Sequence, residues 1–408
     1  MSVYDKIFTM KSLLYIANLR LPTEKAYGIQ IAKMCEAFAD SGLDATLIYP
    51  KRNNPNIKEN IFDYYSVKKN FISKSIETSD FYWPGSLDRI AVAIKSLISA
   101  RVLVGEALKE NADVYYTRDE LVAHLLIRED KNVVFECHRF SSKRKFFYSR
   151  FKKRNLKIVA ISDGLKEDLV KFGIESSRIL VARDGVDLSE FILPTNYEER
   201  KEKQKILREE FFTYHPDRNR RKKIAVYIGH LYSWKGADIL INVAENLKQL
   251  NVNFLIWIVG GTDKDIEILK RGLHPNIVPF IYLNGAVPHK DVAKILVAAD
   301  CAILTGNESE TISAKYTSPL KMFEYMASGC PIVTQDLPSF REVLNENNSV
   351  FAKAGDAKDL ADKIAWVFDD KNKESVERKA QNALEDVKDY TWTKRAEKIF
   401  GFIWAVNP

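Results

Sequence analysis

The sequence predicts an α/β protein made of two doubly wound parallel-sheet halves. Three observations lead there. Short apolar runs alternate with amphipathic helical patterns along the 408 residues, which is the rhythm of parallel strands covered by helices on both faces. That rhythm breaks once, over 195–222, where charge is dense and apolar residues are scarce. The length, at roughly 150 residues per domain, leaves room for two or three cores.

Residues 12–17 (SLLYIA) read as a buried strand. Residues 28–40 (GIQIAKMCEAFAD) read as a helix, with Ile29, Ile31, Ala32, Cys35 and Phe38 three or four apart. Gly42 ends that helix and 45–49 is the next strand. Strands follow at 113–117, 132–136 and 157–161. The charged stretch 195–222 reads as the join between halves plus one exposed helix. A second series begins with strands at 224–228, 254–259, 279–283, 300–304 and 331–334. The resulting domains are 1–195 and 196–392, with a last helical segment at 393–408. Ligands of open parallel sheets sit beyond the carboxyl ends of the strands, so residues that follow strands are the candidates, and two facing halves would form a deep interdomain cleft.

Composition narrows the function classes. Hydrophobic residues make up 46% and charged residues 29%, an ordinary globular balance rather than a disordered one. A net charge of +7 permits a phosphate-bearing partner or an anionic membrane surface without requiring either. Cys35, Cys137, Cys301 and Cys330 show no CxxC spacing. They read as reduced buried thiols, neither a zinc site nor a disulfide framework. No apolar run reaches the roughly 18 residues of a membrane span, and the run after Lys11 is too short for a signal peptide. The expectation is a cytoplasmic protein with no bound metal.

Two segments carry chemistry. In 317–334 (TSPLKMFEYMASGCPIVT), Ser318 suits an N-cap and Pro319 the first helical position. Gly329 and Pro331 stop the helix. The first-turn N–H groups, around Leu320 and Lys321, favour an anion; an ordinary capped helix has the same pattern. Glu324 follows among apolar neighbours and could accept from the vicinal hydroxyls of a ribose, or serve as a salt-bridged surface Glu. In 225–240 (AVYIGHLYSWKGADIL) a strand ends at Gly229, which lets a ligand approach the backbone. A loop then carries His230, Lys235 and Gly236. Lys235 could neutralise a diphosphate, or be a surface Lys before a helix. The P-loop pattern is missing.

Taken together, the motifs resemble family 4 of the GT-B glycosyltransferases, the large retaining group 1 class. The resemblance is carried by IANLRLPTEKAYGIQIAKMCEAFADSG near the start, VVFECH (133–138), IVAISDGLKEDL (158–169), ILVARDGVDLSEF (179–191), YIGHLYSWKG, WIVGG (257–261), YLNGAVPHKDVAKILVAADCAIL (282–304), SPLKMFEYMASGCPIV (318–333) and YTWTKRAEKI (390–399). It implies two Rossmann-like domains, the first binding the acceptor and the second a nucleotide sugar, with the final helix crossing back onto the first. It implies sugar transfer from a UDP- or GDP-sugar to an acceptor hydroxyl, with retention of configuration and no metal or other cofactor. Glu324 matches the second carboxylate of the E-x7-E motif, and Lys235 the lysine on the diphosphate. Gly260, Gly261 and Val287 fall on loops approaching the base. His138 matches a histidine that reaches the donor sugar.

Departures and loose ends remain. Tyr316 stands where the first Glu of E-x7-E belongs, so amides near Ser318, or Glu308 or Glu310, would take over its contact. His230 stands where the family commonly has Arg. Gly28, opening the first helix, would face acceptor or donor phosphate, with Asn18 and Arg20 as acceptor contacts. The segment 139–157 holds nine Lys/Arg, five aromatics and no acid. It reads either as a solvated basic helix or as a dock for anionic lipid, with Phe146, Phe147, Tyr148 and Phe151 entering the interface. A lipid-linked or polysaccharide acceptor would fit; no nucleic-acid motif accompanies the patch. A nucleotide-sugar epimerase of the same build and a non-catalytic protein binding glycans or membranes are the alternatives.

Overall fold

The structure, a computed structural model, describes residues 10–191, 197–214 and 222–405. Contacts divide the chain into two compact units. Each is built on one parallel sheet.

The first unit takes 1–161, 165–183 and 392–408. Its strands are β1 (Ser12–Ile16), β2 (Asp44–Lys51), β3 (Ile72–Glu77), β4 (Val114–Thr117), β5 (Val133–Cys137), β6 (Lys157–Ala160) and β7 (Ile179–Val181), in the order β3-β2-β1-β4-β5-β6-β7. The central strands are apolar and buried on both faces, as parallel strands under helices must be. β3 lies at the sheet's edge and is half exposed, so its ISKSIE lacks the apolar run by which the others are read. The helix Trp392–Trp404 packs within this unit against the helix Ala26–Asp40. Lys157 Nζ donates to the Phe402 and Ile403 carbonyls at 2.9 and 2.8 Å, which satisfies orphan acceptors at that helix's end.

The second unit takes 162–164 and 184–391. Its strands are β8 (Lys223–Ile228), β9 (Phe254–Val259), β10 (Ile281–Asn284), β11 (Cys301–Leu304), β12 (Ile332–Gln335) and β13 (Val350–Ala352), ordered β10-β9-β8-β11-β12-β13. The boundary falls at 184 rather than 195. The Asp184 N–H donates to Ser318 Oγ at 3.0 Å, and Val186 bridges to Thr391; both partners belong to the second unit.

Two expectations are corrected. The helix Tyr197–Tyr214 is not simply exposed. Arg200 is 1% accessible and donates to the Leu296 and Ala299 carbonyls at 3.3 and 2.7 Å, finishing the helix His289–Ala298, while Phe211 and Phe212 enter the core. Its charge density hid those contacts. Residues 195–196 and 215–221 of the charged join, and the last three residues of 393–408, lie outside the described residues.

The second correction concerns 139–157. Tyr148 and Phe151 are buried, packed with Phe135, while Tyr148 also meets Phe140 and Phe172. Phe147 is half-buried against His124. Only Phe146 of the four is exposed. Aromatic burial inside the unit outcompetes the interfacial role, and the basic residues form a solvated face. No helix among the described residues is long and apolar enough to cross a membrane. All four cysteines are free and buried.

Candidate active site

In each sheet the strand order reverses once, between β1 and β4 and between β8 and β11. At such a point successive crossovers leave in opposite directions and open a crevice beyond the carboxyl ends. In the second unit Lys235 lies on the loop after β8, one of the two strands at the reversal; in the first, Asn18, Arg20 and Gly28 follow β1 and His138 follows β5.

In the second unit β8 ends at Ile228, and the loop 229–236 follows. Its start is pinned from the helix Leu320–Ala327, because Tyr325 Oη accepts the Ile228 N–H at 2.9 Å. Tyr227 Oη donates to the His230 carbonyl at 2.8 Å. His230, Tyr232 and Trp234 form a ring stack along the loop, with centroids 5.0 and 6.3 Å apart. Gly260, after β9, has φ +117°, and a Cβ there would lie 2.3 Å from the Gly229 carbonyl oxygen. Only glycine lets these two strand ends meet. Gly261 lies against Leu231. Val287 is partly buried on the unit's core.

Lys235 closes the loop, half-buried, with its ammonium 4.1 Å from the Trp234 ring centroid. Burial pulls its pKa down to about 8. The Thr305 hydroxyl donates to its carbonyl at 2.7 Å, which ties this loop to the one after β11.

The helix Leu320–Ala327 supplies the other side. Here the N-cap expectation changes: Pro319 is the N-cap, Leu320 is the first helical residue, and the Ser318 hydroxyl instead takes the Asp184 N–H. The helix start therefore has no side-chain cap. Lys321, expected as a backbone N–H donor, also brings its side chain to the site. It is 8% accessible, its Nζ has no hydrogen-bond partner, and it lies 3.9 Å over the Tyr227 ring. Burial, then the charge of Lys235, push its pKa well below the ordinary lysine value against the pull of Glu324. Both amines lie in a setting that disfavours their charge, and an anion arriving between them would restore it.

Glu324 sits one turn beyond Lys321 and is 9% accessible. His289 Nε2 holds its Oε1 at 2.8 Å, and His289 Nδ1 lies 3.1 Å from Glu190 Oε2. Burial lowers the histidine pKa, but the two carboxylates outweigh it and raise the value to about 10. Sequence reading missed His289, because a histidine at a helix start carries no local sign of a partner 35 residues away. Tyr316 is buried, and Glu308 and Glu310 are exposed on the loop after β11.

In the first unit His138 follows β5. Its Nε2 lies 2.5 Å from Glu136 Oε1. Glu136 is fully buried and also receives Gln30 Nε2 at 2.6 Å, the Tyr116 hydroxyl, and Arg395 at 3.3 Å. Burial raises the Glu136 pKa, but Arg395, His138 and Arg118 outweigh that and hold it well below the ordinary value. Burial and the Arg118 charge bring His138 down to about 4, against the pull of Glu136. The imidazole is thus neutral, donates from Nε2 and presents Nδ1 as an acceptor. Gly28 has a packing reason: a Cβ there would lie 2.0 Å from the Tyr65 hydroxyl. Asn18 is buried and bonded to Ser96 and Ser99, and Arg20 pairs with Glu24.

Residues 222–370 match the family profile described as Glycosyl transferases group 1. An uncharacterised glycosyltransferase of Methanocaldococcus jannaschii is 23% identical over 273 residues, 64% of this chain and 63% of that protein. A phosphatidyl-myo-inositol mannosyltransferase of Mycobacterium leprae is 29% identical over 168 residues, 40% of this chain and 41% of that one. The chain thus spans less than two thirds of either relative. Among solved structures, Anabaena HepE in complex with UDP and glucose superposes with a TM-score of 0.71 at 14% identity, covering 97% of this chain and 100% of that one.

Proposed function

We propose that this chain, which has the GT-B glycosyltransferase fold and whose residues 222–370 carry the group 1 glycosyl transferase pattern, moves a sugar from a nucleoside-diphosphate sugar, UDP- or GDP-linked, to an acceptor hydroxyl. One observation carries the reading. The Lys321 Nζ is buried without a hydrogen-bond partner beside Lys235, at an uncapped helix start. A diphosphate would give each group its counter-charge.

Lys235, Lys321 and the first amides of Leu320–Ala327 then receive the departing diphosphate. Glu324 takes the ribose, and the loops at His230, Gly260, Gly261 and Val287 flank the base. Charge developing on the leaving oxygen meets groups already oriented, so the barrier falls without reorganisation. On the first unit, the neutral His138 can accept a hydrogen bond from a hydroxyl at Nδ1. Retention of anomeric configuration is the outcome we propose on the strength of the group 1 pattern, and NMR of the product's anomeric centre reads it. A lipid-linked acceptor fits the mycobacterial relative's named activity, and a polysaccharide acceptor is the other candidate.

The test is thermal unfolding with a panel of nucleoside diphosphates and their sugars. A ligand at 100 times its Kd adds about 2.7 kcal/mol. One base series should raise the melting temperature; a flat panel would reject the reading.

A further inference from the structure

His289 is the first residue of the helix His289–Ala298, after Pro288 at the N-cap. A cation there opposes the helix dipole, so the helix does not explain the residue. Its two ring nitrogens do. Nε2 is 2.8 Å from Glu324 Oε1 and Nδ1 is 3.1 Å from Glu190 Oε2. Ionised carboxylates only accept, so both nitrogens must carry hydrogen and the ring is an imidazolium. It is fixed at both ends, and 38% of the side chain remains accessible. Among the described residues Glu324 Oε1 is the oxygen so held, which leaves Oε2 to an incoming donor.

We propose that His289 is the positioning residue of the nucleoside half of the site: strung between Glu190 and Glu324, it fixes the Glu324 carboxylate so that the remaining oxygen meets the vicinal hydroxyls of a ribose. The inference rests on the reading that Glu324 receives the ribose. A carboxylate on a flexible side chain would spend rotamer entropy on each binding event. The imidazolium makes that choice in advance, and Glu190 stops the ring from turning away. The pairing confers selectivity for ribose over deoxyribose, because an unmet, pre-aimed carboxylate is costly to bury under a ligand lacking the hydroxyls.

Calorimetric titration separates this from a purely structural role. The probes are UDP, GDP, their 2′,3′-dideoxy counterparts and inorganic pyrophosphate. The wild type should prefer one ribonucleotide over its dideoxy form by at least about tenfold. His289→Gln should erase most of that ratio while pyrophosphate affinity changes less than about twofold. Glu190→Gln should fall between, and it decides the matter if His289→Gln does not fold. His289→Arg, which can donate to both carboxylates, should restore part of the ratio. A wild-type ratio in both His289→Gln and Glu190→Gln would overturn the role of His289 and leave the donor reading standing. Equal losses for all five ligands would make His289 structural. A wild type that binds pyrophosphate but no nucleotide would overturn the ribose reading itself.

Discussion

Lys235 and Lys321 define the chemistry at the scale of single residues. Lys235 has its pKa lowered to about 8 by burial, so in the free protein it loses its proton as pH rises through that value. Only the protonated form can neutralise a leaving diphosphate. The expected kcat/KM profile therefore falls above pH 8, because that ratio reports free-enzyme ionisations. Lys235→Ala should lower kcat by about 10²–10³, as for loss of one preorganised donor. It should also abolish that alkaline limb. A variant with unchanged turnover would remove Lys235 from the leaving-group role. His138 works differently: neutral at physiological pH because its pKa is about 4, it can only be a hydrogen-bond partner there and not a counter-ion.

At the scale of elements, the site is made where strand ends meet loops with no room to spare. Gly236 has φ +65°, and a Cβ there would lie 2.5 Å from the Gly306 carbonyl oxygen. Gly306 is itself held, its N–H donating to Gln335 Oε1 at 2.9 Å. The loops after β8 and β11 thus interlock at their backbones. Gly236→Ala must either force the left-handed conformation on alanine, at about 1–2 kcal/mol, or push the loops apart and move Lys235. We expect a modest fall in melting temperature and a disproportionate loss of nucleotide affinity by calorimetry. Equal, small effects on both would show that the loops yield without displacing the lysine.

At the scale of the whole molecule, the chain's last helix is part of its first core. Arg395, 3% accessible, brings its guanidinium to the buried Glu136. It also donates to the Arg183 carbonyl at 3.0 Å. Removing one member of such a buried pair typically costs about 3–5 kcal/mol, since the remaining charge stays desolvated. Arg395→Ala should destabilise the first unit by that order and leave the second unit's exchange protection intact, read by hydrogen–deuterium exchange. The pH sign follows from Glu136. Its carboxyl is held below its unfolded value of about 4.3. The stability it contributes is thus present above that pH and lost as pH falls through the folded pKa. The deficit of Arg395→Ala should accordingly be largest near neutrality and shrink in acid.

The sequence alone determined the alternation of strands and helices, the two-sheet layout, the place of Lys235 on the loop after a strand and that of Glu324 on a short helix. Those features follow from local apolar runs and turn residues, whose cost and gain are set within a few positions. β3, β7 and β13 escaped because they are short or at sheet edges, where burial imposes little pattern. Only the tertiary structure decided that Tyr148 and Phe151 point inward, that Arg200 finishes a helix almost 100 residues away, that the Lys321 amine is buried without a hydrogen-bond partner, and that His289 stands between two carboxylates. Each is a pairing across sequence distance. Composition and periodicity report how often a residue type is buried, whereas the identity of its neighbour depends on which strand ends the crossovers bring to one edge.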